Sequence, residues 1–347
     1  KRQGGDTAKD RRGVQVALSG MVLNNSGPQQ LHLGRKPDWL RARVPGGPGY
    51  ERLREIVDTY GLHTVCKEAA CPNMGECWNR GTATIMILGD TCTRACGFCN
   101  VKTGRPAQVD QDEPRRVAES IALMGLGHVV ITCVDRDDLP DGGAAIWAET
   151  IERVHEACPD TSVECLIGDH QGRHNELDTI IAAKPEILSH NMETVRRMHP
   201  AVRPQARYER SIDVLKHIRE SGLVTKTGIM VGIGERDEEV FELMQDLRDA
   251  ADIHILTVGQ YLQPTRNHLP IDRWVTPESF DEYRESGLNL GFSVVESGPL
   301  VRSSYHAEEQ AAKLSPTQRA VKDGMDRLLK HAKGCCQQDS SEPNIEE

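Results

Sequence analysis

From Thr82 onward the chain alternates two hydrophobic patterns. Short apolar runs rich in Val, Ile and Thr predict strands at Thr82–Leu88, His128–Val134, Ser162–Ile167, Ile187–His190, Thr225–Gly232 and Ile255–Tyr261. Stretches with apolar residues at helical spacing predict helices at Pro114–Met124, Ala144–Ala157, Asn175–Ala183, Tyr208–Ser221, Asp237–Ala250 and Pro277–Leu290. Strand and helix thus alternate six times, which implies a parallel sheet covered by helices. A last strand-like piece, Ser293–Glu296, leads into Ser297–Tyr305. Upstream, Tyr50–Tyr60 carries Leu53, Ile56 and Val57 at helical spacing and is ended by Gly61; Trp39 and Leu40 predict a short anchoring turn. The polar, aperiodic residues 1–37 predict a disordered leader, and a helix over Pro316–Lys330 is expected to precede a disordered tail.

Polar side chains collect just after each strand, where parallel α/β proteins place their ligands. Cys92–Cys99 follows the first strand, Asp135-Arg136-Asp137-Asp138 the second and Asp169-His170 the third. His190-Asn191 with Glu193 follows the fourth, Gly232–Glu235 the fifth and Gln260-Tyr261 the sixth.

A net charge of −10 argues against nucleic acid as the main partner, because phosphate binding needs a basic surface. The charge is uneven: residues 1–50 hold nine Lys/Arg against three Asp, so the rest is more acidic still. No apolar run is long enough for a membrane span. Val14–Leu23 is too interrupted for a secretory h-region. A cytoplasmic protein is therefore expected, with a plastid or mitochondrion as the alternative if residues 1–37 are a transit remnant.

The 11 cysteines change the picture most, since in a chain of this length they point to metal rather than disulfides. Cys92, Cys96 and Cys99 sit in a polar, Gly-containing loop directly after the first strand. Thiolates so spaced can wrap one corner of an iron–sulfur cubane, and three ligands for four irons leave one iron open. Zinc is the alternative, although structural zinc usually closes with four ligands in paired spacings. Cys66, Cys71 and Cys77 form a second triplet, with Pro72 and Gly75 bending the chain between them. Zinc stands as the alternative there too.

The first triplet, with Phe98 before its last cysteine, resembles the signature of the radical S-adenosylmethionine (SAM) superfamily. Adding CKEAACPNMGEC, GTATIMILGDTC, VDRDDLPDGG, HNMETV, GQYLQPT and GPLVRSSYH, the chain resembles the lipoyl synthase family from about Asp38 to about Glu309. The resemblance implies an α/β fold, a partial (β/α)6 TIM-type barrel whose N-terminal and C-terminal extensions complete the active site. The expected units are a leader (1–37), an extension with auxiliary-cluster cysteines (38–81), the barrel (82–292), a closing segment (293–309), and a helix and tail (310–347).

It also implies two [4Fe–4S] clusters. Cys92, Cys96 and Cys99 would hold the one that binds SAM through its open iron; Cys66, Cys71 and Cys77, with Ser304 as fourth ligand, would hold the auxiliary cluster. Phe98 would pack on the SAM adenine, Asn191 and Glu193 would take the ribose hydroxyls, and Gly228, Gly232 and Gly234 would let the backbone approach the adenine. The Asp135–Gly143 stretch would hold the SAM amino group, while Arg302 and Tyr305 would place the serine and the incoming lysyl amide. The implied sulfurtransferase reaction consumes SAM and inserts two sulfur atoms, drawn from the auxiliary cluster, at carbons 6 and 8 of an octanoyl chain. Implied partners are octanoylated lipoyl carrier domains (2-oxo acid dehydrogenase acyltransferase subunits and the glycine cleavage H protein), an electron donor and an iron–sulfur carrier, with no nucleic acid and no membrane. Another radical SAM sulfur-inserting enzyme, or a non-catalytic iron–sulfur or zinc protein, is the competing reading. Two departures stand out: the family's PDFxG loop is Gly168-Asp169-His170-Gln171-Gly172 here, and Cys133 replaces a small hydroxyl residue. Cys158 and Cys165 are expected to be structural, and Cys335-Cys336 oxidation-prone.

Overall fold

The computed structural model describes residues 35–314, except 42–43, 61–63, 65 and 67–70, together with four short strands before residue 30. Those strands form two small antiparallel pairs, Thr7–Lys9 with Gln15–Ala17 and Leu23–Asn24 with Gly27–Pro28, inside the expected leader. The expected helix over 316–330 and the Cys335-Cys336 pair lie outside the described residues.

Seven parallel strands make the main sheet: β1 (Thr82–Ile87), β2 (His128–Cys133), β3 (Ser162–Leu166), β4 (Ile187–Ser189), β5 (Val224–Val231), β6 (Ile255–Gln260) and β7 (Val294–Gly298), in that spatial order. The six expected strands fall where their apolar runs lie. The seventh is the strand-like piece expected at Ser293–Glu296; it spans Val294–Gly298 and pairs with β6 from Ile255↔Val294 to Gly259↔Gly298. Strands β1 and β7 do not pair with each other, so the sheet curls without closing.

Between strands run α3 (Glu113–Met124), α4 (Ala144–Ala157), α5 (His174–Ala182), α6 (Tyr208–Glu220), α7 (Asp237–Ala251) and α8 (Pro277–Asn289), preceded by α1 (Pro48–Thr59) and α2 (Met74–Asn79). Proline in the first turn and a left-handed Gly125 after the last turn bound α3. Ala83, Ile85, Val129, Ile131 and Val163 meet Val117, Ile121, Trp147, Ile151 and Val154 in one core; Ile229, Val231, Leu256 and Val258 meet Leu243, Leu247 and Phe280 in another. Alternation then gives the strands a second, polar buried face. His128 on β2 and Lys226 on β5 both close on Glu164 of β3, at 3.7 and 2.9 Å, so the curled sheet encloses a charged interior. Such a pair is a poor source of stability but forbids a slip of register, because it would leave a buried charge alone.

At the N-terminal side Leu40 is fully buried in its short turn, as expected, but Trp39 is 44% exposed: only one of the two anchors. Among the described residues no helix is long and apolar enough to cross a membrane.

Candidate active site

The first cysteine loop leaves β1 through an unusual bend. Leu88 is buried with a left-handed φ of 68°, and the Glu113 carboxylate accepts the Leu88 N–H at 2.7 Å and the Gly89 N–H at 3.4 Å. Burial raises the Glu113 pKa, and those two N–H donors oppose the rise. Beyond the bend, Gly97 donates to the Val202 carbonyl (2.9 Å) and accepts from Leu269 N–H (3.0 Å), while His268 Nε2 lies 2.9 Å from the Cys99 carbonyl. A Cβ at Gly97 would lie 2.7 Å from Leu269 Cδ1 and 3.2 Å from the Ala201 carbonyl oxygen, so a larger residue would press on this clamp.

Arg94, between Cys92 and Cys96, fastens the loop to the neighbouring strand ends. Its guanidinium is buried, donates to both Asp137 oxygens at 2.7 Å, and pairs with Asp169 at 2.7 Å and Asp135 at 3.6 Å. Burial works against the Arg94 charge, but Asp137, Asp135 and Asp169 outweigh it and raise its pKa. Asp169 also takes Arg210 at 3.1 Å; despite burial, Arg94 holds its pKa well below the carboxylate range.

Cys92 receives backbone N–H groups from Arg94 (3.4 Å) and Asp135 (3.3 Å) on its sulfur. Burial, then the nearby Asp135 charge, pushes the Cys92 thiol up to about 12, and burial also raises Cys96. The charges of Cys92, Cys96 and Cys99 act on one another, as do those of Cys66, Cys71 and Cys77. Among the described residues no three His, Cys, Asp or Glu side chains converge closely enough for a single metal ion. A cubane has its ligands on a wider tetrahedron, and hydrogen bonds to sulfur are among the levers that tune such clusters. The two backbone N–H groups on Cys92 Sγ suit a cluster-bound thiolate at the first triplet.

The closing segment returns across the chain to the second triplet. Asn73, between Cys71 and Cys77, donates to the Leu300 carbonyl at 2.7 Å. Arg302 is enclosed near Cys71: burial lowers its pKa and the thiol charge opposes this. Ser303 Oγ accepts from Asn191 Nδ2 at 3.0 Å, and Tyr305 and His306 reach Glu76 at 3.5 and 3.0 Å. Ser304 is half-buried between these two anchors. Arg80 pairs with Glu308 and Glu309, and Thr82 donates to Glu308 at 3.1 Å, in and just before α9 (Ala307–Ala312).

The expected SAM contacts divide. Asn191 Nδ2 also meets Glu193 Oε1 at 3.0 Å, while the buried Asn191 Oδ1 has no hydrogen-bond partner. Glu193 has a left-handed φ of 65°, and burial raises its pKa against the Arg203 charge. Phe98 is half-buried against the second core. At the three glycines the space on the Cβ side is occupied by the protein itself. A Cβ on Gly232 would overlap Gln260 and the Arg273 carbonyl, one on Gly228 would lie 3.0 Å from Asn191 Oδ1, and one on Gly234 2.9 Å from Met198. The acidic stretch also splits: Asp138 pairs with Arg136 at 2.8 Å and Asp141 takes the Gly143 and Ala145 N–H groups at 3.0 Å at the start of α4. Asp135 alone reaches a cluster cysteine, 4.0 Å from Cys92 Sγ.

In the altered loop after β3, His170 takes the place of the missing aromatic, 3.1 Å from Glu176. Burial raises the Cys133 thiol at the end of β2, near Asp135 and Cys92. Sequence reasoning missed Glu113, Arg94 and Asn73. Arg94 was the most legible of them, a cation inside the cysteine loop followed by four carboxylates after the next strand.

Two family models match: the radical SAM superfamily over residues 86–247, and the N-terminal domain of lipoyl synthase over residues 16–71. The lipoyl synthase of Flavobacterium johnsoniae is 56% identical over 275 residues, which cover 79% of this chain and 95% of that one. The mitochondrial lipoyl synthase of Nematostella vectensis is also 56% identical over 275 residues, 79% of this chain and 94% of its own. Among solved structures, Streptococcus suis SuiB bound to S-adenosylmethionine superposes with a TM-score of 0.50 at 12% identity, covering 66% of this chain and 54% of that one, a likeness of fold. By identity and coverage together, the chain belongs to the lipoyl synthase family of radical SAM enzymes.

Proposed function

We propose that the chain builds the lipoyl group, inserting sulfur at carbons 6 and 8 of an octanoyl chain carried on a protein lysine, with its two thiol triplets serving one chamber. Cys92, Cys96 and Cys99 would hold the SAM-binding [4Fe–4S] cluster; Cys66, Cys71 and Cys77, with Ser304, would hold an auxiliary one. When bound, the first cluster supplies the electron that cleaves SAM to a radical, and the second supplies sulfur. The unactivated carbons have no proton that a side-chain base could remove.

The chain's own part is placement. Arg94 and Glu113 hold the first loop rigid, and the N–H donors on Cys92 favour the thiolate that iron requires, against a thiol otherwise protonated at neutral pH. Glu193, Asn191 and Phe98 are proposed to face SAM, and Asp135 its amino group. Arg302 and Tyr305 would set Ser304 and receive the lysyl amide. The partners would be octanoylated carrier domains, an electron donor and an iron–sulfur carrier, in a cytoplasmic setting.

One observation carries this reading: residues 300–303 are bonded at one end to Asn73 of the second triplet and at the other to Asn191 on the SAM side. Anaerobic reconstitution tests it. Wild-type protein is expected to hold about eight irons and make lipoyl product; Cys92, Cys96 and Cys99 all changed to Ala should leave about four irons and no SAM cleavage. Full iron content in that variant would reject the loop assignment. Ser304→Ala should load the auxiliary cluster weakly and give little product, whereas normal product would reject the fourth-ligand role.

A further inference from the structure

Gly259 lies on the inner face of β6, where it pairs with Met230 of β5 and Gly298 of β7. Its φ is not left-handed, so its backbone is one that any residue adopts. The absence of a side chain matters for a different reason. A Cβ there would overlap the carbonyl oxygen of Val301, come within 3.1 Å of its carbonyl carbon, and lie 3.3 Å from Arg302 Nη1. The colliding atoms are backbone and cannot rotate away.

The segment that fills this notch is held on each side. Its Leu300 carbonyl accepts from Asn73 at 2.7 Å and its Ser303 hydroxyl from Asn191 at 3.0 Å, while Val301 N–H returns to the Gly298 carbonyl at 3.1 Å. The Val301 carbonyl seated on Gly259 also accepts Arg302 Nη1 at 2.6 Å. The contact on Gly259 therefore sets both the depth of the segment in the barrel mouth and the direction of the guanidinium beside Cys71. Neighbouring Gly298 makes a different contact: a Cβ there would meet only Val301 Cγ2, at 3.3 Å, a side-chain atom that can turn aside.

We infer that Gly259 is a positioning residue for sulfur insertion: it is the notch that seats Val301 and thereby places Arg302 and Ser304 against the auxiliary triplet. It leaves the radical-generating loop untouched. This rests on the lipoyl synthase reading, and the wild-type reaction run in parallel separates the two: wild-type protein that makes no lipoyl product counts against that reading, not against the notch.

The test is Gly259→Ala in reconstituted full-length enzyme. Displacement of reacting groups by about 1 Å can cost ~100-fold. Sulfur insertion should therefore fall by about that factor, while reductive SAM cleavage stays within roughly twofold of wild type. A second readout follows the segment directly: trypsin should cut after Arg302 faster in the variant than in wild type. Gly298→Ala should change neither. Wild-type sulfur insertion by Gly259→Ala, equal loss of SAM cleavage in folded protein, or an equal defect in Gly298→Ala would each overturn the inference. Should Gly259→Ala fail to fold, Asn73→Ala decides. It frees the opposite side of the same segment and should give the same split, whereas normal sulfur insertion would overturn the claim.

Discussion

Asp169→Asn probes the anchor of the radical-generating loop. Arg94 and Arg210 close on this carboxylate at 2.7 and 3.1 Å, and the side chain has no exposed surface. Asparagine keeps the volume, and its carbonyl oxygen can still accept the Gln171 N–H that Asp169 accepts at 3.0 Å. The substitution removes charge with little change in packing. Removing one partner of a buried pair costs about 3–5 kcal/mol. Arg94 keeps both bonds to Asp137, so the loss belongs at the lower end, about 3 kcal/mol. At roughly 2–4 °C per kcal/mol for a domain of this size, the apo-protein Tm should drop by about 6–12 °C. The pH dependence has a definite sign. A carboxylate whose folded pKa is depressed contributes stability above its unfolded pKa and loses it as pH falls toward the folded value. The gap between wild type and variant should therefore be full at neutral pH and close in acid, below the ordinary carboxylate range. In reconstituted protein, iron should be lost selectively from the Cys92–Cys96–Cys99 site, because Arg94 lies within that loop. Calorimetry, iron analysis and reductive SAM cleavage read these effects. An apo Tm within about 1 °C of wild type, or equal iron loss from both sites, would refute the reasoning.

Cys71→Ala should keep reductive SAM cleavage and abolish sulfur insertion; lipoyl product from this variant would contradict the donor role of the second triplet. His190 is buried between the Ile167 carbonyl (3.0 Å) and Ser211 Oγ (2.9 Å), and burial, then Arg203, lowers its pKa from 6.5 to about 3. Its neutral form is favoured in the fold, so the unfolded chain takes up the proton first and stability falls as pH drops from 6.5 toward 3, by up to about 5 kcal/mol. His190→Gln should flatten acid unfolding in that window, and an unchanged slope would count against the shift.

Periodicity located the strands and helices to within a residue or two because each strand's outer face feeds one helix-covered core. It also marked Ser293–Glu296 as strand-like but left open whether that piece joins the sheet, because a short apolar run before Gly298-Pro299 carries the same local signal whether or not it pairs. Thiol spacing singled out the two triplets. The carboxylates were legible as a group but not individually: position after a strand cannot distinguish Asp141, which caps α4, from Asp135, which meets Cys92. The glycines show the opposite limit. Sequence reveals a missing side chain but not what fills the space, and at Gly232 and Gly234 the space is filled from within.

The closing segment shows why so distant a contact can be dependable. Asn73 and Leu300 are 227 residues apart, yet they meet at 2.7 Å. Loop closure costs only about 0.6 kcal/mol more for each doubling of length, so distance along the chain is a weak obstacle. Most of that closure is already achieved by the barrel lying between the two residues. Strands β1 and β7 are the two edges of one parallel sheet; at its edge β1 makes, among the described residues, only an isolated antiparallel bridge from Ile85 to Thr64. The chain leaving β7 runs back along the gap between these edges, from the C-terminal ends of the strands to Thr82 at the start of β1. An open edge is a hazard unless covered. Here Arg80 and Thr82 at the β1 edge take Glu308, and Lys313 takes Glu296 of β7 at 3.1 Å, so the chain after β7 is tied to both edges. The same tie holds residues 300–306 against Asn73 and Glu76. A fold that closed its sheet by pairing β1 with β7 would satisfy more backbone groups, but it would remove the gap that the chain after β7 crosses to reach Arg80 and Thr82.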